Sequence, residues 1–255
     1  MATASEGRPV YIVDGSRTPF LKARSGPGPF TPVDLAVQCG RPLLLRQPFP
    51  ATAFDQVILG CVNVIADEQN PARVAALRLG CGVAMTAFTV QINCGSGMQS
   101  IDTAYRYIRE GTSDLILAGG AEALSHAPLV LKQDAVEFLA ALNGAKSPVD
   151  RLKVATAFRP DMLTPVVGLE RGLTDPITDL MMGQTAELTG FMFGVTREQA
   201  DEYAVESHLR LAKAQSEGWL ADEIEPAFGR DGTLYDHEPR PETFEGPGFG
   251  PAARQ

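Results

Sequence analysis

Apolar residues follow two patterns in the first half of the chain, short runs typical of β-strands and longer stretches with the period of a helix. The strand-like runs cover residues 10–13, 56–59, 88–92 and 114–118, and the helical stretches cover residues 33–45, 72–79 and 98–109. Strands that alternate with helices predict βαβ units, in which helices cover the faces of a sheet. Because residues 115–118 are apolar on both faces, we predict that they form a central strand.

The second half of the chain, from about residue 123 to residue 240, has a pattern of helices and loops instead. Thr196 and Gln199 have the spacing of a capping box, and an apolar stripe follows until Gly218. The stripe consists of Ala200, Tyr203, Ala204, Leu211 and Ala212. This segment predicts a helix. Residues 244–255 are rich in Gly and Pro without periodicity, which predicts a disordered tail.

Cys94 stands at the junction between a strand-like run and a helical stretch. A thiol at a helix N-terminus lies beside exposed N–H groups and the positive end of the helix dipole, which favour the nucleophilic thiolate. Gly95 and Gly97 permit a tight turn and leave room for a substrate carbonyl beside the sulfur. On the residues alone, a small buried cysteine followed by a flexible turn remains the alternative.

Composition narrows the class of protein. The 255 residues are 44% hydrophobic, and 22 basic against 31 acidic side chains give a net charge of −9, which argues against nonspecific nucleic-acid binding. We expect no membrane span and no signal peptide, and therefore a cytoplasmic protein. The four cysteines are widely spread, and neither a Cys-x-x-Cys pair nor clustered histidines occur, so we expect no structural disulfide and no metal site.

Six segments occur in the order in which one enzyme family has them. They are Arg17-Thr18-Pro19 within residues 14–20, Gln-Asn-Pro-Ala-Arg at 69–73, the Cys94 segment at 93–98, Leu-Ala-Gly-Gly-Ala-Glu-Ala-Leu-Ser at 117–125, Met-Gly-Gln-Thr-Ala-Glu at 182–187 and Thr-Arg-Glu-Gln-Ala-Asp at 196–201. Over roughly residues 9–243 the chain resembles the thiolase family, the coenzyme-A-dependent acyltransferases that make or cleave 3-ketoacyl thioesters. Leu124 stands where the family has methionine. A condensing enzyme of the ketosynthase type is disfavoured by the segment at 182–187.

This resemblance implies an α/β fold, a thiolase-like N-terminal αβα half with an inserted helical and loop domain. It implies a core domain over residues 1–122 and a loop domain that forms the coenzyme A pocket over residues 123–243, followed by the tail. The family continues at this point into a second α/β half. We therefore entertain the hypothesis of a truncated or frame-shifted product, and we expect an uncovered apolar face that favours a homo-oligomer.

The resemblance assigns the nucleophile to Cys94 and makes acyl-CoA and coenzyme A the substrates, with no permanently bound cofactor. It also implies that the backbone N–H of Cys94 is an oxyanion donor. The family's Gly-His-Pro histidine and Cys-x-Gly cysteine have no counterpart in the sequence. His126 is the histidine to test as a substitute base. We therefore expect a thiolase N-terminal half whose missing residues come from a separate C-terminal thiolase half or from a continuation of this chain, or alternatively a noncatalytic remnant or coenzyme-A-binding module.

For substrate binding, the resemblance points to Met181 and Met182 as acyl-pocket residues, although methionines at helical spacing are also common core residues. Coenzyme A is an anion, so basic side chains are candidates for its phosphates, with solvated surface charge as the alternative. These candidates are Arg151, Lys153, Arg159, Arg171 and Arg240. We interpret His208, which lies within the predicted helix, as a structural residue.

Overall fold

The structure is a computed structural model that describes residues 7–23 and 26–238. The α-helices are α1 (Pro32–Leu45), α2 (Pro71–Arg78), α3 (Ser96–Glu110), α4 (Gln133–Gly144), α5 (Pro148–Ala155), α6 (Gly168–Gly172), α7 (Met182–Phe193) and α8 (Arg197–Ser216). The strands are β1 (Gln56–Gly60), β2 (Thr86–Val90), β3 (Ile116–Gly120), β4 (Leu129–Val130), β5 (Val166–Val167), β6 (Ala227–Phe228) and β7 (Leu234–Tyr235). Arg240 and the tail at 244–255 lie outside the described residues.

Several helices begin at a residue whose side chain caps the first turn. Thr31 caps α1, Asn70 caps α2 and Ser147 caps α5, and in each case a proline follows at the first helical position. Thr196 and Gln199 form the predicted capping box: the Thr196 hydroxyl accepts the Gln199 N–H at 3.2 Å, and Gln199 Oε1 accepts the Thr196 N–H at 2.9 Å. The predicted helix at this position is thereby confirmed as α8.

Three parallel strands form the main sheet in the order β2-β1-β3. Their register places Gly60 opposite both Val90 and Gly120, so the carboxyl ends of all three strands meet at one edge. Ligands bind beyond the carboxyl ends of the strands in open α/β sheets. The other pairs, β4 with β5 and β6 with β7, are short and antiparallel.

Helices cover both faces of the parallel sheet. On one face α1 and α2 pack together over Val57 and Leu59, which alternate along β1 and belong to the main apolar cluster. On the opposite face α3 packs against β1 and β3. The predicted α/β fold is confirmed.

Two strand predictions are wrong. Residues 10–13 form no strand, and Tyr11, Ile12 and Val13 are 75%, 88% and 73% exposed, because a strand needs a hydrogen-bonded neighbour and this segment has none among the described residues. The predicted central strand, β3, is an edge strand, and β1 occupies the centre. The apolar composition of a strand indicates that both of its faces are buried. It does not determine whether the strand has a neighbour on one edge or on both.

Helix α3 turns a different face to the sheet from the one its apolar residues suggest. Its buried residues are the small Ser96, Ser100 and Ala104, whereas Met98 is 72% exposed and belongs to an apolar stripe with Ile101 and Tyr105 that faces outward. The stripe predicted the helix correctly. It did not predict which face packs, because small residues are required where the helix approaches the strands closely.

The described residues fall into two compact units. One combines the chain up to His126 with the chain from Val195 onward, and the other is Ala127–Gly194. The domains expected from the resemblance, 1–122 and 123–243, place residues 195–238 with the second part, and that division stays a prediction. In the first unit Arg17 holds this returning segment, since its guanidinium bonds Glu223 at 2.8 Å and Glu238 at 2.5 Å.

Candidate active site

The turn that carries Cys94 contains a left-handed residue. Asn93 has φ 53°, outside the glycines one of two such residues in the described chain. The conformation costs most residues about 1–2 kcal/mol, and asparagine adopts it more readily than other residues do. Gly95, expected to provide the flexibility of the turn, has φ −85° and is the N-cap of α3. The left-handed conformation of Asn93 was not predicted, although an asparagine before a cysteine at a strand end is a usable signal.

Ser96 closes this turn from inside. Its hydroxyl oxygen accepts the backbone N–H of Ile92 at 3.0 Å, and its proton is donated to the Asn93 carbonyl at 2.6 Å. The Ser96 N–H also bonds the Asn93 carbonyl at 3.1 Å, and the Gly95 N–H bonds the Ile92 carbonyl at 3.2 Å. Ser96 is 3% exposed, so water does not compete for these bonds.

Glycines bring α3 against the carboxyl ends of the strands. A Cβ atom at Gly60 would lie 2.3 Å from the Ser96 carbonyl, and one at Gly120 would lie 3.0 Å from the Gly97 Cα. Both strand ends therefore contact the first turn of α3 through backbone atoms. The Gly119-Gly120 end of β3 therefore lies near the Cys94 turn.

Cys94 differs from the other cysteines in its exposure. It is exposed, whereas Cys61 and Cys81 are 1% and 3% exposed and Cys39 is partly buried, and all four are free thiols. The alternative of a buried structural cysteine at position 94 is therefore wrong. Burial raises the pKa of the Cys61 thiol to about 12, with a further contribution from the charges of Glu122 and Glu68. Burial also raises the pKa values of Cys39 and Cys81.

Some N–H groups at the helix terminus beside Cys94 are bonded within the turn, and others have no acceptor within the helix. Those of Gly95 and Ser96 are already engaged within the turn. The first turn of a helix offers four N–H groups without acceptors inside the helix, and the other two here belong to Gly97 and Met98. An anionic or carbonyl oxygen beside Cys94 would meet donors of this kind.

Glu122 braces the loop that follows β1 at the same sheet edge. Its carboxylate accepts the backbone N–H of Val62 at 2.9 Å and of Asn63 at 3.0 Å. The Asn63 side-chain amide donates to the Ala123 carbonyl at 3.2 Å, which ties the two loops together again. Glu122 lies within the motif at 117–125, but the two bonds that it makes were not predicted.

The segment at 69–73 has a structural explanation as well. Asn70 caps α2 by accepting the Arg73 N–H and donates to the Ala87 carbonyl of β2, and the Thr89 hydroxyl donates to its side-chain oxygen. Arg73 donates to the carbonyls of Met85 and Val83. These bonds hold the strand that leads to Cys94.

Met181 and Met182 lie at the start of α7 and are about half exposed, 49% and 48%. Gln184 Oε1 accepts the Met181 N–H at 2.9 Å, and the Met182 N–H donates to the Leu173 carbonyl, so the backbone there is well fixed. Neither methionine is a buried core residue of its unit. Their assignment to an acyl pocket stays a prediction.

The basic candidates for phosphate binding have different surroundings. Arg159 is engaged by carboxylates, at 2.6 Å from Asp134 and 3.2 Å from Asp161. The side chains of Arg151, Lys153 and Arg171 are exposed on α5 and α6. Arg240 lies outside the described residues, and its role in binding remains a prediction.

His126 has a structural partner. Its Nε2 lies 2.9 Å from the Gly28 carbonyl, in a short turn at Leu124–His126. That bond ties the turn to the loop before α1, and it gives no support to His126 as the base for Cys94. His208 lies within α8, as expected.

The described residues also bear on metal binding and on membrane crossing. No group of three or more His, Cys, Asp or Glu side chains there has the arrangement of a metal site. Among the helices described, none combines the length and the apolarity that a membrane crossing requires.

Comparison with known proteins places these motifs in context. The sequence matches the family described as thiolase, N-terminal domain, over residues 10–244. The mitochondrial trifunctional enzyme subunit beta of Bos taurus is 34% identical over 239 residues, which cover 93% of this chain and 50% of that protein. The 3-oxoadipyl-CoA/3-oxo-5,6-dehydrosuberyl-CoA thiolase of Escherichia coli (strain K12) is 34% identical over 244 residues, 92% of this chain and 57% of that protein.

A solved structure gives the same picture of the fold. Human mitochondrial 3-ketoacyl-CoA thiolase in complex with CoA superposes with a TM-score of 0.71 at 26% identity, and the match covers 87% of this chain and 51% of that one. The chain thus spans about half the length of the relatives that it matches.

Proposed function

Because the chain belongs to the thiolase family, whose N-terminal domain it matches, we propose that it is the nucleophile-bearing half of an acyl-CoA C-acyltransferase. The observation that carries this proposal is the exposed Cys94 on a left-handed turn between β2 and α3. The turn lies at the carboxyl edge of a parallel sheet, where α/β proteins bind ligands.

In the proposed reaction the Cys94 thiolate attacks the thioester carbonyl carbon of an acyl-CoA. A carbon–sulfur bond to Cys94 forms, the carbon–sulfur bond to coenzyme A breaks, and the departing thiolate takes a proton from solvent or an acid. A second acyl-CoA, deprotonated at its alpha carbon, then attacks the acyl-enzyme and releases the Cys94 thiolate. N–H groups near Cys94, its own included, are the proposed partners of the carbonyl oxygen during attack.

Coenzyme A and acyl-CoA are the proposed substrates. The human relative of this fold was solved with CoA, which supports a CoA site in this chain. Within it we assign Met181 and Met182 to the acyl pocket and Arg240 to a phosphate. The Escherichia coli relative is named for 3-oxoadipyl-CoA and the human structure for 3-ketoacyl-CoA. We propose acetyl transfer, as in acetyl-CoA acetyltransferase, as the first activity to test.

The proposed reaction needs a general base and acid beside Cys94. The 255 residues contain no Gly-His-Pro and no Cys-x-Gly segment, and general acid–base catalysis contributes about 10²–10⁴-fold. The outward apolar stripe of Met98, Ile101 and Tyr105 supports a covering partner. We propose a C-terminal thiolase half as that partner, together with assembly into a homo-oligomer, and a cytoplasmic location.

The test is acyl transfer in two stages. The purified chain is incubated with acetyl-CoA, and the mass of one acetyl group is sought on the Cys94 peptide, with Cys94→Ala and Cys39→Ala as matched variants. We expect acetylation of wild type and Cys39→Ala and none of Cys94→Ala. Thiolysis of acetoacetyl-CoA with free coenzyme A is then followed, and we expect turnover only after a C-terminal half is added.

The outcomes separate the alternatives. Turnover by the chain alone that depends on Cys94 would show that a base comes from within the chain or its oligomer, and the half-enzyme proposal would be wrong. A folded chain that binds coenzyme A without acetylation of Cys94 would be a coenzyme-A-binding module, the second candidate. Circular dichroism confirms folding in each case.

A further inference from the structure

The direction of the Cys94 side chain depends on the backbone on both sides of it. The residue before it, Asn93, is left-handed, and the residue after it, Gly95, begins the helix. A turn of this kind relaxes to commoner backbone conformations unless neighbouring contacts hold it. Besides two backbone bonds, from Gly95 to Ile92 and from Ser96 to Asn93, the contacts that hold it come from one side chain.

That side chain is Ser96. Its hydroxyl takes the Ile92 N–H at the start of the turn and donates to the Asn93 carbonyl, which belongs to the peptide unit that enters Cys94. It therefore spans the left-handed residue with one oxygen atom. Ser96 is 3% exposed, so water cannot replace the two hydrogen bonds that are lost when a substitution removes the hydroxyl.

The position of Ser96 itself is fixed by the sheet. The Ser96 carbonyl group lies so close to Gly60 that a Cβ there would approach it to 2.3 Å. The first turn of α3 thus packs on the end of β1 through backbone contact. This contact fixes the Ser96 backbone beside the Cys94 turn.

We propose that Ser96 is a positioning residue for Cys94, which holds the left-handed turn so that the thiol faces the free N–H groups of the helix start. The inference rests on the proposed function, in which Cys94 is the nucleophile. The Ser96 hydroxyl bonds Ile92 and Asn93, so it acts through the backbone that leads into Cys94.

Ser100 provides the matched control. It is one helical turn further on, is completely buried, and its hydroxyl lies 2.7 Å from the Gly97 carbonyl and 2.6 Å from the Gly119 carbonyl. It has the same chemistry and burial as Ser96 but makes no bond to residues 92–94. A purely structural role for a buried serine of α3 would affect the two variants alike.

The experiment compares Ser96→Ala, Ser100→Ala and wild type by alkylation with iodoacetamide, quantified for each cysteine peptide by mass spectrometry. We expect alkylation of Cys94 to slow by about fivefold or more in Ser96→Ala, the scale of one lost hydrogen bond, and to change by less than about twofold in Ser100→Ala. Buried Cys61 and Cys81 report general loosening, and we expect their slow alkylation to be unchanged in Ser96→Ala.

Two results would overturn the proposal. One is an unchanged Cys94 rate in Ser96→Ala. The other is a change at Cys94 that Ser100→Ala reproduces, or that comes with faster alkylation of Cys61 and Cys81, since either would mark a general effect on folding. Failure of acetylation in the wild type would contradict the proposed function and leave this alkylation test decisive for Ser96.

Discussion

Glu122 Oε1 accepts the backbone N–H of Asn63 at 3.0 Å and so joins two loops at the carboxyl edge of the sheet that are 59 residues apart in sequence. The second carboxylate oxygen accepts the neighbouring N–H of Val62. A charged acceptor that takes two backbone donors fixes the conformation of the loop that carries them. This acidic residue of the family motif is therefore explained by backbone support.

Removing this carboxylate should destabilise the chain. We expect Glu122→Ala to lower the free energy of unfolding by about 1.5–3 kcal/mol, because hydrogen bonds to a charged group are lost, and Glu122→Gln, which retains one acceptor, to lose less. Urea denaturation measures the effect. The exposed Glu202 of α8 gives the control, since Glu202→Ala should be near neutral. Equal values for the Glu122 and Glu202 variants would contradict the assigned role.

The contact between Gly60 and Ser96 predicts that one methyl group added at position 60 strongly destabilises the chain. In Gly60→Ala the new Cβ would lie 2.3 Å from Ser96 backbone atoms and 2.5 Å from the Gly97 nitrogen. We expect a loss of about 3 kcal/mol or failure to fold, the upper range of overpacking, because backbone cannot rotate away. Gly15, whose Cβ would meet nothing within 4 Å, serves as the control, and Gly15→Ala should fold normally. Thermal unfolding of both variants decides it.

The left-handed Asn93 predicts an unusual order among substitutions. We expect Asn93→Gly to be tolerated, since glycine adopts φ 53° without strain, and Asn93→Ala to lose about 1 kcal/mol. Asn93→Val should lose more because its branched side chain resists this conformation. Chemical denaturation of the three variants measures the order. A greater loss in glycine than in alanine would show that the Asn93 side chain matters more than its backbone.

The buried Cys61 predicts a loss of stability at alkaline pH. Its pKa is raised to about 12 in the folded chain, against about 8.5 for an unfolded cysteine, so the folded state retains a proton that the unfolded state loses. The stabilisation is complete below about pH 8.5 and declines as the pH rises toward 12, by at most about 1.4 kcal/mol per pH unit.

Comparison with Cys61→Ala isolates this titration from the other groups that ionise at high pH. The difference in unfolding free energy between wild type and variant should shrink as the pH rises above about 8.5. Urea titrations over a pH series measure it. A difference that stays constant across the series would mean that the Cys61 thiol does not retain its proton.

Local information in the sequence determined much of this protein. The helical period predicts the helices α1, α2 and α3, the capping box of Thr196 and Gln199 predicts α8, and the apolar runs predict the three strands of the parallel sheet. The place of Cys94 between a strand and a helix follows from the same local patterns. These features depend on contacts within a few residues along the chain, which is why a single sequence contains them.

The tertiary structure alone decided the rest. Only the close approach allowed by Gly60 and Gly120 shows why α3 buries Ser96 and Ser100 and leaves Met98 outward, against the expectation from its apolar stripe. The bonds of Glu122 to the loop after β1, and the lack of a partner for residues 10–13 among the described residues, depend on segments that are distant along the sequence. Hydrophobicity records a tendency to be buried, whereas the partner of a buried face is set by shape and hydrogen bonding between remote segments.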